Sequence, residues 1–125
     1  MTENDIARIV VDAAYKIHTT IGPGLLESAY EAILAYELRK RGLQVQRQVK
    51  VPIVYEEVNL DEGFRADLIV ENLVIIELKA IERIVPVHKK QLLTYLRLTG
   101  KKLGLLINFN EEKIKDGISR VVNGL

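Results

Sequence analysis

The stretch G-F-R-A-D-L-I-V-E-N-L-V-I-I-E-L-K-A, Gly63 to Ala80, decides how the rest of the chain is read. Phe64 to Val70 and Leu73 to Ala80 are apolar runs of strand length that turn at Glu71-Asn72, so they predict a β-hairpin. Each arm carries charge within an otherwise apolar run: Asp67 on the first, Glu77 and Lys79 on the second. Strand side chains alternate between faces, so Glu77 and Lys79 point the same way. Two carboxylates converging on a sheet suit a hard divalent cation bound through oxygen. A nearby lysine can orient or deprotonate a water, or offset charge developing on a phosphate. Together these suit phosphodiester hydrolysis, in which a metal polarises the phosphate and lowers the pKa of the attacking water. Solvent-facing charges on a half-exposed sheet are the plainer reading of the same three residues.

The loop separates the two readings. A two-residue loop sets Val70 opposite Leu73 and Asp67 opposite Ile76, and the two acids then face opposite ways. A three-residue loop, Glu71 to Leu73, sets Asp67 opposite Glu77, and Asn72 tolerates the left-handed backbone such loops need. A bulge would serve equally. The functional reading therefore predicts an odd loop or a bulge.

Outward from the hairpin, Ile6, Ile9, Val10, Ala13 and Ile17 recur at helical spacing behind a cap at Thr2 or Asn4. I-G-P-G, Ile21 to Gly24, ends that helix. A second helix is expected from Leu25 to Arg41, with Gly42 where a terminating glycine belongs. Leu43 to Tyr55 alternates as a strand, in which Pro52 implies an edge or a bulge. Glu56 to Glu62 reads as a polar loop. A third helix covers Pro86 to Thr99, closed by Gly100, and Leu103 to Phe109 is a short buried strand. The tail from Lys113 to Leu125 leans to a closing strand. The order ααβββαβ(β) is a mixed sheet with helices packed on it.

With 125 residues, 48% of them hydrophobic, the chain suits one domain over residues 1–125 that folds without staples. It has no cysteine, which excludes thiolate metal sites and fits a reducing cytoplasm. The acidic start and the lack of a long apolar run predict a cytoplasmic protein with no membrane segment. A net charge of +1 means that nucleic-acid binding has to rest on local patches.

Further candidates lie on the helices. Glu27 stands in the first turn of the second helix, in line with Tyr30, Leu34 and Leu38. It is either an acid favoured by the helix dipole or a fourth member of the site. His88, Gln91 and Tyr95 share a stripe of the third helix, where Gln91 and Tyr95 could hydrogen-bond a phosphate or a bound water. His88 is too isolated to be read as a metal ligand. Lys90, Arg97 and Lys101 form another stripe, either tracking a phosphate backbone or solvating a helix face. There is no glycine-rich phosphate loop and no G-x-S-x-G elbow.

In order, the chain carries G-x-x-E-x-x-Y (Gly24 to Tyr30), G-F-R-A-D (Gly63 to Asp67), E-L-K (Glu77 to Lys79) and Q-x-x-x-Y (Gln91 to Tyr95). This resembles the GxxExxY family of the PD-(D/E)XK nuclease superfamily, over nearly the whole chain. The resemblance implies a restriction-endonuclease-like central mixed β-sheet flanked by α-helices, and a Mg²⁺- or Mn²⁺-dependent nuclease acting on DNA or RNA. It makes Asp67, Glu77 and Lys79 the catalytic residues. Glu27, Asp67 and Glu77 become the metal set, with Tyr30, His88, Gln91 and Tyr95 supporting the site or contacting substrate. Ala66 stands where the superfamily name has proline. Small nucleases of this kind often pair to cut two strands, so a homodimer is expected. The alternative is a nuclease-fold module that binds nucleic acid or a protein without cutting.

Overall fold

The structure is a computed structural model covering residues 1–125, with all side chains described except those of Asp61 and Glu62. Two helices, α1 (Glu3–Ile21) and α2 (Glu27–Lys40), precede three strands, β1 (Val45–Tyr55), β2 (Val58–Val70) and β3 (Val74–Lys79). Helix α3 (Pro86–Thr99), strand β4 (Leu103–Asn108), a 3₁₀ turn (Ile114–Gly117) and strand β5 (Ile118–Val122) complete the chain. The five strands lie in sequence order in one sheet. All neighbours are antiparallel except β3 and β4, which α3 connects as a parallel pair. No helix is long and apolar enough to cross a membrane.

Each local signal has a visible cause. Thr2 caps α1 through the Asp5 amide, while the Asp5 carboxylate accepts from the Thr2 amide at 2.9 Å. At the end of α2 the Leu43 amide donates to the Leu38 carbonyl and the Gly42 amide to the Arg39 carbonyl. That motif needs a left-handed residue, supplied by Gly42 at φ 90°. Pro52 meets both of its expectations: β1 is an edge strand, and its pairing with β2 shifts register between Val51 and Ile53. Gly63 faces that irregularity, and a Cβ there would collide with the Val51 carbonyl and the Ile53 backbone.

The segment Glu56 to Glu62, expected as a loop, is mostly strand. Only Glu56 and Glu57 form the turn, and β2 begins at Val58, paired with Tyr55. Val58 and Leu60 alternate as a strand requires, and left-handed Glu56 (φ 53°) permits the tight reversal. The tail forms β5, preceded by the 3₁₀ turn.

Two cores sandwich the sheet. Ile6, Val10, Ala13, Leu34 and Leu38 of α1 and α2 pack on Leu68, Val70, Ile76, Leu78 and Leu105. Leu92 and Leu96 of α3 pack on Ala66, Ile69, Ile75 and Leu106, with Phe64 and Tyr95 alongside. Strict alternation would put Phe64, Ala66, Leu68 and Val70 on one face. Instead, the first two join the α3 core and the last two the α1–α2 core. The strand changes face at Asp67. Opposite it, Gln48 has φ 51°, and the Gln48–Asp67 pair is missing from an otherwise regular stretch of ladder.

Candidate active site

The hairpin loop is the three-residue one. Val70 pairs with Val74, Ile69 with Ile75 and Leu68 with Ile76. Glu71 and Asn72 both adopt left-handed backbone, at φ 52° and 55°. The next step of this register sets Asp67 opposite Glu77. The β2–β3 ladder stops at Leu68, and the Leu78 amide donates to Asp67 Oδ2 at 2.8 Å. The notch between the strands lets residues of both helical layers reach the end of β3.

Glu77 faces the α3 side, as its neighbour Ile75 does, and is 9% exposed. Burial pushes its carboxyl up to about 9, assisted by the Asp67 charge and a hydrogen bond to Asp67, and opposed by Lys79. Burial and the neighbouring Asp67 therefore favour the protonated form of Glu77 in the metal-free protein. Glu27 enters from the α2 layer. Its carboxyl is raised by burial, lowered by Lys79, raised by Asp67 and lowered by the Ala80 amide. The Tyr95 phenol is raised by burial and then by the charges of Glu77 and Asp67, so it borders the same notch from α3. Its ring stacks on Phe64, with centroids 3.7 Å apart. Glu27, Asp67, Glu77, Lys79 and Tyr95 thus converge from four elements.

The buried acids differ in one respect. Glu37 is bonded to Lys16 at 2.9 Å and to Arg41 at 3.2 Å. Glu31, 5% exposed, accepts from Arg47 Nε at 3.1 Å and from the Gln48 amide. Glu77 Oε1 is buried with no hydrogen-bond partner. Buried polar atoms are rarely left so, and an orphaned carboxylate oxygen beside a second carboxylate is what a divalent cation satisfies. The residues present therefore fit such an ion, with Asp67 and Glu77 as oxygen donors. Among the described residues no three His, Cys, Asp or Glu side chains are grouped as a ready-made cage. Mg²⁺ is commonly held by one or two carboxylates plus water and substrate phosphate, so a pair suffices.

The other sequence candidates part company here. Tyr30 is fully buried and stacks on Phe109. Its hydroxyl donates to the Gly22 carbonyl at 2.6 Å and accepts from the Leu25 amide at 3.1 Å. It anchors the loop before α2, one turn after Glu27, and leaves no side-chain surface exposed. His88 accepts the Val85 amide at Nδ1, 3.1 Å, and caps the start of α3. Gln91 is exposed one turn before Tyr95. The basic stripe is not uniform: Lys90 and Arg97 are exposed, whereas Lys101 Nζ donates to the Asn72 carbonyl at 3.0 Å. Lys101 holds the hairpin loop, at the opposite end of β3 from Lys79, because the turn leaves a carbonyl within its reach. Two grooves lie elsewhere, one lined by residues of α1, β4 and β5 and one by the start of α3 with Glu111, Asp116 and Ser119.

Two residues were not read from the sequence. Glu31 fixes the bend by binding Arg47 and left-handed Gln48, the latter standing opposite Asp67 in the register. Asn108, fully buried beside Lys79, accepts the Ile81 amide at 3.1 Å and donates to the Ile81 carbonyl at 2.9 Å. It fastens the chain where it leaves β3. An acid one position after Tyr30 on a helix stripe was the only available signal for Glu31.

A mixed sheet between helical layers, broken at a hairpin that carries an acid pair and a lysine, is a restriction-endonuclease-like fold. The chain belongs to the PD-(D/E)XK nuclease superfamily, whose model matches residues 4–121. That superfamily is one of nucleases, which generally use divalent metals. No curated protein and no solved structure matches the chain.

Proposed function

We propose that this protein is a Mg²⁺- or Mn²⁺-dependent nuclease of the GxxExxY kind, hydrolysing phosphodiester bonds of DNA or RNA. The observation that carries the reading is the buried, unpartnered Glu77 Oε1 beside Asp67. Asp67 and Glu77 would hold the ion, with Glu27 next to them, and Glu77 gives up its proton when they do. When bound, the ion supplies polarisation of the phosphate and a lowered pKa for the attacking water. Lys79 stands on the same strand face as Glu77 and offsets charge on the attacked phosphate. Tyr95, with Gln91 one turn away, offers donors to the phosphate oxygens. The water oxygen bonds to phosphorus, the P–O bond to the leaving strand breaks, and that oxygen takes a proton. Pairing into a two-fold dimer and action in a reducing cytoplasm belong to the same proposal.

A binding module that does not cut is the second reading. What favours it is that the fold by itself does not establish cutting. The test is a panel of labelled single-stranded, duplex and branched DNA and RNA with Mn²⁺, using wild type and Lys79→Met. Wild type is expected to cut at least one substrate. The variant should keep the rise in melting temperature with Mn²⁺ but lose cleavage by at least about a hundredfold, the loss typical of a removed charge-stabilising group. Equal melting with and without metal, together with no cleavage by wild type, would leave the binding module.

A further inference from the structure

Resting on the nuclease reading, we infer that Lys50 and Arg65 form a cross-strand grip for the substrate's phosphate backbone next to the acid site. The two lie directly opposite each other on β1 and β2. Their flanking pairs, Val49–Ala66 and Val51–Phe64, contribute Ala66, Val49 and Phe64 to the α3 core. Lys50 and Arg65 therefore point to the other face, the one that α1 and α2 cover farther along the sheet. Both are exposed.

Side chains directly opposite on an antiparallel pair have Cβ atoms about 5 Å apart, and like charges there destabilise the sheet. Among the described residues no acid pairs with either one. The fold gains nothing evident from the juxtaposition, whereas a polyanion laid across it would relieve the repulsion. Arg65 brings a planar fork matched to phosphate oxygens, and Lys50 a compact charge beside it.

Their position matters as much as their charge. Arg65 precedes Asp67 by two residues, about 6.6 Å along the strand. Glu77 and Lys79 face the α3 side and the pair faces the other, so a strand whose scissile phosphate lies in the notch where the β2–β3 ladder stops reaches the pair on the side from which Glu27 enters. The arm that carries them is braced by Gly63, whose missing Cβ lets β2 lie against the Pro52 irregularity. This grip takes up part of the role expected of the α3 stripe, from which Lys101 is withdrawn by the hairpin loop.

The experiment measures binding of a short labelled single-stranded DNA, and of RNA of the same sequence, by anisotropy across a salt series in chelator. Wild type is compared with Lys50→Gln/Arg65→Gln and with a control, Lys113→Gln/Lys115→Gln, which removes two exposed lysines remote in sequence from the arm. Two lost phosphate contacts should make the slope of log affinity against log salt shallower by about 1.4. The advantage of wild type over the double variant should then shrink about sevenfold between roughly 50 and 200 mM salt. The control should keep the wild-type slope. A second variant, Lys50→Glu, places an acid opposite Arg65. It should melt at or above the wild-type temperature in low salt and bind more weakly than Lys50→Gln. If wild type binds and cuts while the double variant keeps its slope and affinity, the grip is wrong and the nuclease reading stands. A lower melting temperature for Lys50→Glu would show that the pair serves the fold, and would also overturn the grip. If wild type neither binds nor cuts any strand, the nuclease reading fails and takes the grip with it.

Discussion

Replacing Glu77 by Gln removes one titrating proton and little else, which makes it a direct probe of the acid pair. In the folded protein the Glu77 carboxyl is pushed up to about 9, whereas its ordinary value is 4.5. Between those pH values the folded chain holds a proton that the unfolded chain has lost. Stability is therefore highest below pH 4.5 and falls as pH rises towards 9, by about 1.4 kcal/mol per pH unit. By pH 7 the loss amounts to about 3 kcal/mol. Gln keeps the shape, stays neutral at every pH and can still hydrogen-bond Asp67, so it escapes this loss. In chelator the two proteins should melt alike near pH 5. The variant should be ahead by about 10 °C at pH 7, taking about 4 °C per kcal/mol for a domain of this size. Glu27 and other shifted groups are common to both proteins and cancel in the difference. Mn²⁺ should close the gap from the wild-type side, because the ion replaces the proton on Glu77 and binds the folded state. The assay is a set of thermal melts from pH 5 to pH 8, with and without metal. A gap that stays constant over that range would mean that Glu77 is not held neutral, and the argument from its buried oxygen would collapse.

Two further outcomes test the scaffold. Glu31→Ala leaves Arg47 and Gln48 without their shared carboxylate; because Arg47 is solvent-exposed, the loss should be about 1 kcal/mol. Through the bend at Asp67 it should also lower kcat more than it raises KM, with Glu31→Gln recovering part of the loss. Denaturant unfolding and steady-state kinetics measure the two halves of that statement. Gly63→Ala should lose at least about 2 kcal/mol, because the added methyl meets the Val51 carbonyl and the Ile53 backbone, which cannot move aside as a side chain would. Urea unfolding gives the number, and an unchanged midpoint would mean that the arm does not lie as described.

What the sequence determined by itself was whatever short-range chemistry controls. The helices, the hairpin at Glu71-Asn72, the Gly42 terminus and the double meaning of Pro52 follow from periodicity and turn chemistry within a few residues. The requirement for an odd loop or a bulge was also legible, since a two-residue hairpin would turn Asp67 and Glu77 to opposite faces. The strand from Val58 was missed because its first half is polar and lies on an exposed arm, where burial does not impose an apolar pattern. Tertiary structure alone decided the change of face at Asp67, which needs Gln48 in a left-handed conformation and Glu31 to hold it there. Glu31 and Gln48 are 17 residues apart, and Lys101 and Asn72 are 29. No local pattern records such pairings, so Lys101 reads as a free cation until the hairpin loop is folded beside it. Tyr30 and His88 differ, since their backbone partners lie only three to eight residues away, in loop and capping contacts that a helical stripe does not reveal. Short-range periodicity specifies which side chains share an element, whereas the partner of a buried polar atom is set by packing between elements.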